Sequence, residues 1–160
     1  MALDIKIKTN SEAIKKRFNR IERKFPSIID KGILQGGFQL LDIIRTKTKK
    51  GIDFNDRRFA PYSDSYLKRL QSEGRPTAVD LIYDNGMMGA LTPSMVKKTG
   101  KHKISIAFSR KEEIDKAFFN QVTNEPQRKF FGFNNRTEKI ISKQFNRFVE
   151  KELRKFKIWV

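Results

Sequence analysis

The chain has 160 residues, 38% of them apolar and 33% charged, with 35 Lys and Arg against 18 Asp and Glu and no cysteine. That length fits one domain spanning residues 1–160, and fourteen Phe residues indicate an aromatic-rich core in place of disorder. The missing thiols exclude disulfides, thiolate catalysis and Cys-ligated zinc.

In chain order, Leu3, Ile5 and Ile7 alternate with Asp4, Lys6 and Lys8, the period of a half-buried strand. Thr9 and Glu12 then have the spacing of a capping box. Ile14, Phe18, Ile21 and Phe25 recur at helical spacing, and Pro26 is expected to end that helix. A second helix is expected from the Ser27–Asp30 cap, with Ile29, Ile33, Gly37, Leu40, Leu41 and Ile44 on its apolar face. Gly32, Gly36 and Gly37 each cost about 1 kcal/mol inside a helix, so they imply close approach of another backbone, in this chain or in a neighbouring subunit. Lys47, Lys49 and Lys50 suit the negative end of the helix dipole, and Gly51 suits the C-cap.

Residues 52–61 read as irregular. Tyr62–Gln71 reads as a short helix capped by Ser63 or Asp64, and Ser72–Thr77 as a polar loop tip. Asp80–Leu91 reads as a turn and a short helix interrupted by Gly86 and Gly89. Met95–Val96 and Lys103–Phe108 read as strands joined by a Lys97–His102 turn. Lys111–Val122 suits a helix with Ile114, Ala117, Phe118 and Gln121 on its buried face. A long final helix, capped by Asn135 and Glu138, places Ile141, Phe145, Phe148 or Val149, and Phe156 inward. The apolar last residues, Ile158–Val160, suit pairing or docking. The predicted class is α+β: a small antiparallel sheet packed against two long helices and several short ones.

The net charge of +17 divides into +8 over residues 1–80 and +9 over residues 81–160, so it is a field over the whole molecule and not a basic tail. Such a field attracts polyanions without regard to sequence and equally suits acidic protein neighbours. MALDIKIKTN lacks the apolar segment of a signal peptide, and no run approaches the ~20 apolar residues of a membrane span. The chain is therefore expected to be made in a cytoplasm, to stay soluble until it assembles, and to have no membrane partner.

Catalytic patterns are sparse. His102, the single histidine, lies in the basic turn KKTGKHK with no carboxylate near it in sequence, and reads as an exposed turn residue. Asp53, Asp56, Asp80 and Asp84 are turn carboxylates, the kind used by two-metal nucleases but far more often by turns and helix caps. GMMG is too short for a phosphate-cradling loop. No recognition helix follows residues 28–50, and QRKFFG lacks the aromatic alternation of an RNA-stacking strand. No metal, cofactor or enzymatic activity is expected.

The aromatic segment Gln127–Gly132, QRKFFG, is followed by Phe133, and an apolar cluster lies upstream at DLIYDNGMMGALTPSM. So much adjacent apolar surface in connecting segments suits a subunit that docks on others. The order of motifs is G-x-x-F at Gly51–Phe54, PYS-x-x-Y at Pro61–Tyr66 and D-L-I-Y-x-x-G-M-M-x-A-L at Asp80–Leu91. F-x-N-Q at Phe118–Gln121 and P-Q-R-K-F-F-G at Pro126–Gly132 complete it, ahead of a long helix. Over residues 51–150 this order resembles the phage virion morphogenesis proteins, the Mu G-like tail-completion and neck group of head–tail connectors.

The resemblance implies a ring-forming virion protein at the neck, hexameric or dodecameric, with DNA passing through it and no enzyme activity. Its partners would be its own copies, portal or adaptor and tail-tube proteins, and packaged DNA held by non-specific backbone contact. Expected subunit-interface residues are Gly36, Gly37, Phe54, Tyr62, Tyr66, Met87, Met88, Phe130, Phe131 and Phe133. Lys97, Lys98, Lys101 and Lys103 are expected to meet DNA or an acidic partner. Two other readings are a monomeric, basic, non-specific DNA-binding protein and a small nuclease built on Asp53, Asp56 and Asp80. A ring former is expected to carry large apolar patches, and a DNA binder a single basic face.

Overall fold

The computed structural model describes residues 11–82 and 85–156. The expected N-terminal strand, the Thr9 capping residue, Asp84 and the apolar C-terminal residues lie outside these. The fold is α+β, with a two-stranded antiparallel sheet, two long helices and several short ones.

Helix α1 (Ser11–Lys49) is a single helix of 39 residues, with Pro26 inside it. At 1.5 Å per residue it is about 58 Å long. This corrects the expectation of two helices divided at Pro26 and of a fresh cap at Ser27–Asp30. Proline removes one backbone bond and strains the preceding turn, a cost of about 3 kcal/mol. Helix α5 (Asn135–Arg154) splints that weak point. It runs antiparallel to α1 and packs on the half that follows the proline, while Phe156, just past its end, reaches the half that precedes it. A Cβ on Gly32 would lie 2.8 Å from Phe145 Cε2, and one on Gly36 3.1 Å from Ile141 Cγ2. Beyond Pro26, the Arg20 guanidinium lies 5.8 Å from the centre of the Phe156 ring.

The C-terminal end of α1 is closed by Gly51 at φ +70°, with Gly51 N–H donating to Thr48 O (2.9 Å) and Ile52 N–H to Lys47 O (3.0 Å). These paired bonds satisfy two orphan carbonyls of the last turn. Helix α2 (Asp64–Ser72) starts at Ser63, whose hydroxyl accepts from Tyr66 N–H at 3.4 Å. Helix α3 (Gly86–Gly89) is bounded, not interrupted, by its two glycines. It packs Met87 and Met88 into the core. Helix α5 is capped by Asn134, one residue before the expected cap at Asn135, with Asn134 Oδ1 accepting from Thr137 N–H at 2.9 Å.

Strands β1 (Val96–Gly100) and β2 (Lys103–Ile106) form the hairpin, pairing Val96 with Ile106 and Lys98 with Ile104. Lys97 and Lys98 are thus strand residues. The turn is only Lys101-His102, with His102 at φ +55°. The hairpin lies on α1 at Gly37, where a Cβ would come within 2.7 Å of Val96 Cγ1 and against Ile104 Cδ1. The core joins Leu41 and Ile44 of α1 to Phe59, Met87, Met88, Leu91, Met95, Val96 and Phe130. Gly32, Gly36 and Gly37 meet Phe145 and Phe148, Ile141, and Val96 and Ile104 of this chain, respectively.

Candidate functional site

The segment QRKFFG is stitched into the fold from two sides. On one side, Phe54 N–H donates to Lys129 O at 3.0 Å. Arg128 donates from Nε to Ala60 O (3.3 Å) and from Nη2 to Pro61 O (2.9 Å), with its guanidinium 4.9 Å from the centre of the Tyr62 ring. On the other side, Arg128 N–H donates to Asn120 O at 2.7 Å. Gln121 clasps Phe131, its Oε1 accepting from Phe131 N–H (2.8 Å) and its Nε2 donating to Phe131 O (2.9 Å). Gln127 Nε2 donates to Val122 O at 2.9 Å. The Glu125–Pro126 peptide that leads into the segment is cis.

This double stitching buries Phe130 to 1% exposure, with the Phe131 ring edge-on to it at 6.1 Å and tilted against Phe108 at 5.5 Å. Gly132 passes so close to Phe54 that a Cβ there would sit 3.0 Å from the ring. The segment is a packing junction within the chain itself, with Phe133, just past it, exposed. Sequence reading missed Arg128, which is buried although it looks like a basic flank; only the carbonyls of Ala60 and Pro61, far away in sequence, identify its partners.

Helix α4 (Lys111–Phe118) supports the junction and continues into a π-helical turn, Phe119–Thr123. Its buried face differs from expectation. Glu113 is buried and Ala117 packs against the core, while Ile114 and Phe118 are exposed, Phe118 to 55%. Phe119 and Val122 of the π turn are exposed as well. Next to the junction opens a hollow of about 470 Å³, walled by Tyr62, Tyr66, Leu81, Met87, Asn120 and Arg128. The two tyrosine rings lie 4.7 Å apart at a tilt. Burial is the main influence raising the Tyr62 phenol above its ordinary range. At physiological pH it is a neutral donor on an aromatic wall.

The residues expected at a subunit interface therefore divide. Gly37, Met87, Met88 and Phe130 are buried within the chain's own core, and Gly36 packs on Ile141. Phe54 and Phe131 are half-buried at the junction, Tyr62 and Tyr66 line the hollow, and Phe133 is exposed. The larger exposed apolar features were not singled out as interface from the sequence. They are the ridge Ile114, Phe118, Phe119 and Val122, and a stripe of Ile14, Phe18 and Phe25 along the first half of α1.

The lysines of the hairpin are exposed, but Lys98 forms an ion pair with Asp30 of α1. Asp30 Oδ1 also accepts from His102 N–H and meets His102 Nδ1, both at 3.0 Å. His102 thus does have an orienting carboxylate, supplied from 72 residues away. The Lys98 hydrogen bond is the main cause that lowers the Asp30 carboxyl to about 2; partial burial opposes it, and the His102 N–H assists.

The aspartates proposed for metal binding serve other ends. Asp56 Oδ1 lies 2.7 Å from Lys47 Nζ, and its Oδ2 accepts from Asn134 Nδ2 at 2.8 Å. Both bonds, Lys47's first, pull its carboxyl below the usual range. Lys47 Nζ also donates to Phe54 O (3.2 Å) and Thr137 Oγ1 (3.4 Å), so one ammonium ties the end of α1, the following loop and the start of α5. Asp53 Oδ1 accepts from Arg57 N–H, and Asp80 Oδ1 from Ile82 N–H. Among the described residues, no group of three or more His, Asp or Glu is placed to hold a metal ion. None of the described helices is long and apolar enough to cross a membrane.

Comparison of the chain with protein-family models, with curated proteins and with solved structures returns no match.

Proposed function

We propose that this chain is a structural subunit of a tailed-phage neck, a head–tail connector, tail-completion or tail-terminator protein that closes into a homo-oligomeric ring around passing DNA. The observation that carries this reading is the apolar ridge of Ile114, Phe118, Phe119 and Val122, exposed on a helix whose opposite flank is firmly fixed. A monomer gains nothing from displaying two adjacent Phe rings, and exposed apolar patches of this kind mark docking surfaces. The motif order over residues 51–150 supports the same reading, as does the organisation of the QRKFFG junction around packing. The +17 charge suits phosphate contact in a lumen or the acidic faces of portal, adaptor or tail-tube proteins.

Native mass spectrometry with negative-stain imaging of the purified protein tests this directly. A closed ring, hexameric or dodecameric, is expected. A monomer that binds duplex DNA through one basic face would replace the ring reading with that of a basic DNA-binding protein. In the ring reading, DNA affinity falls steeply with salt and ignores sequence, because phosphate contacts release counterions and read no bases.

A further inference from the structure

In the first half of α1, Ile14, Phe18, Ile21 and Phe25 follow at spacings of four, three and four, and Ile28 and Gly32 continue the series. Alternating steps of three and four are the a and d positions of a coiled-coil heptad. Successive residues turn by about 100°, so the first four side chains fall within an arc of about 60°. A stripe that packs on a broad core spans about 100° or more, whereas a narrow one is the seam of a helix paired with another helix. The chain itself shows what this seam receives. Ile28 and Gly32 are buried, Gly32 against Phe145 and Phe148 of α5. Helix α5 ends at Arg154, and Ile14, Phe18 and Phe25 of the same seam stay exposed. We infer that the first half of α1 is a docking seam for an acidic amphipathic α-helix of another protein.

Charge and shape together select that occupant. The heptad positions flanking the seam, e and g, hold Lys15, Arg17 and Lys24 against Glu22 alone. Such positions set partner choice through pairing across the interface, so the partner carries Glu or Asp there. Among the described residues, neither Lys15 nor Lys24 is in an ion pair of its own. A second copy would bring like charges together, because residues 11–25 hold six Lys and Arg against Glu12 and Glu22. Duplex DNA would engage the cations but leave the apolar seam in water. An anionic bilayer takes up a helix by a broad apolar face; here Glu22, about 70° from the middle of the seam, would enter the headgroups. An acidic helix uses the seam and its flanks at once. Docking of this kind requires no ring.

The test titrates the full chain into fluorescent synthetic peptides of about three heptads and follows anisotropy. The first peptide has Ile at a, Leu at d and Glu at e and g; the second has Lys at e and g; the third is the first with its sequence scrambled. Saturable binding of the first is expected, with the other two about tenfold weaker or more. Phe18→Ser should weaken the first peptide by about tenfold or more, as loss of a central aromatic anchor does, and leave the urea midpoint unchanged, since Phe18 is exposed. The double variant Lys15→Glu and Lys24→Glu should reverse the preference towards the Lys peptide. Equal binding of the scrambled peptide would reduce the half-helix to a general polyanion surface and overturn the seam. So would no binding of the first peptide, or a fall in the urea midpoint of Phe18→Ser, which would mean that the chain covers the seam itself. Phe18-dependent binding of duplex DNA or phosphatidylserine vesicles in place of the peptide, or Phe18-dependent self-association, would assign the face to those occupants and overturn it likewise. A monomeric wild type that takes the acidic peptide overturns the ring reading alone.

Discussion

The two halves of α1 carry the same kind of sequence and meet different fates. Before Pro26, Ile14, Phe18, Ile21 and Phe25 repeat at helical spacing; after it, Ile28, Gly32, Gly37, Leu41, Ile44 and Thr48 do so. The second set is buried under α5, the hairpin and α3. In the first set Phe18 is 57% and Ile14 48% exposed. Periodicity thus establishes that a helix forms and which face is apolar, but not what covers that face. Where the same chain supplies the cover, the stripe becomes core. Where none of the described residues does, the stripe stays exposed, and the basic residues around it, Lys15, Lys16, Arg17, Arg20, Arg23 and Lys24, disfavour pairing with a second copy of the same half-helix.

The strongest way to break this comparison is to truncate one residue in each half. Leu41, 3% exposed in the core, should cost about 2–5 kcal/mol when replaced by Ala, through lost burial and the cavity left behind. Phe18→Ala should fall within about 0.5 kcal/mol of the wild type, as surface substitutions do. Urea unfolding of the dilute protein measures both. A loss of 2 kcal/mol or more in Phe18→Ala would mean that the first half is covered after all.

A finer test uses the glycines of the covered half. Gly37→Ala brings a methyl group against two branched side chains, Val96 and Ile104, held by the hairpin. Overpacking of this kind costs about 1–3 kcal/mol, against a gain of about 1 kcal/mol in helix propensity. The melting temperature should therefore fall. At Gly36 the added methyl meets a single atom, Ile141 Cγ2, 3.1 Å away. That branch is fixed to a stiff Cβ and must give by a few tenths of an ångström, so the packing cost and the gain in helix propensity nearly offset. Gly36→Ala should therefore change the melting temperature less than Gly37→Ala. A rise for both variants would show that the hairpin yields and that neither contact limits the packing.

How far these features were legible in the sequence follows the same line. The small-residue set at Gly32, Gly36 and Gly37 announced close contact because its local cost has no local benefit. The aromatic density of QRKFFG signalled packing but not its partner: read as surface for other subunits, it is covered by the chain's own loop and core. The break predicted at Pro26 was wrong because the lost hydrogen bond is written locally, whereas the splint of Phe145, Phe148 and Phe156 lies over a hundred residues later. Ser27 and Asp30 had the spacing of a cap, yet Asp30 serves the hairpin. The buried face of α4 was misread for a related reason. Ile114 and Phe118 are the apolar choice and read inward with Ala117, but beside Ala117 the core accepts Glu113, and the two larger side chains stay exposed. That misreading concealed the exposed ridge of Ile114, Phe118, Phe119 and Val122.

The smallest expected effect concerns the clasp by which the covered half of α1 holds the hairpin tip. Asp30 accepts from Lys98 and from His102 N–H, and its carboxyl is lowered from 3.8 to about 2. A carboxylate depressed on folding contributes stability that is fully present above its unfolded value and lost as pH falls through its folded value. The contribution should therefore be constant at neutral pH, begin to fade below about 4 and be gone near 2. Asp30→Asn removes this dependence. The difference in urea midpoint between wild type and Asp30→Asn, measured from pH 7 to pH 2, should be small, favour the wild type at neutral pH and vanish at the acid end. Added salt should shrink it at every pH, because the pair is partly exposed and screened. A difference that grows on acidification would assign the clasp to another group. No difference at any pH would reduce Asp30 to an acceptor for the His102 amide that Asn replaces, with Lys98 a bystander.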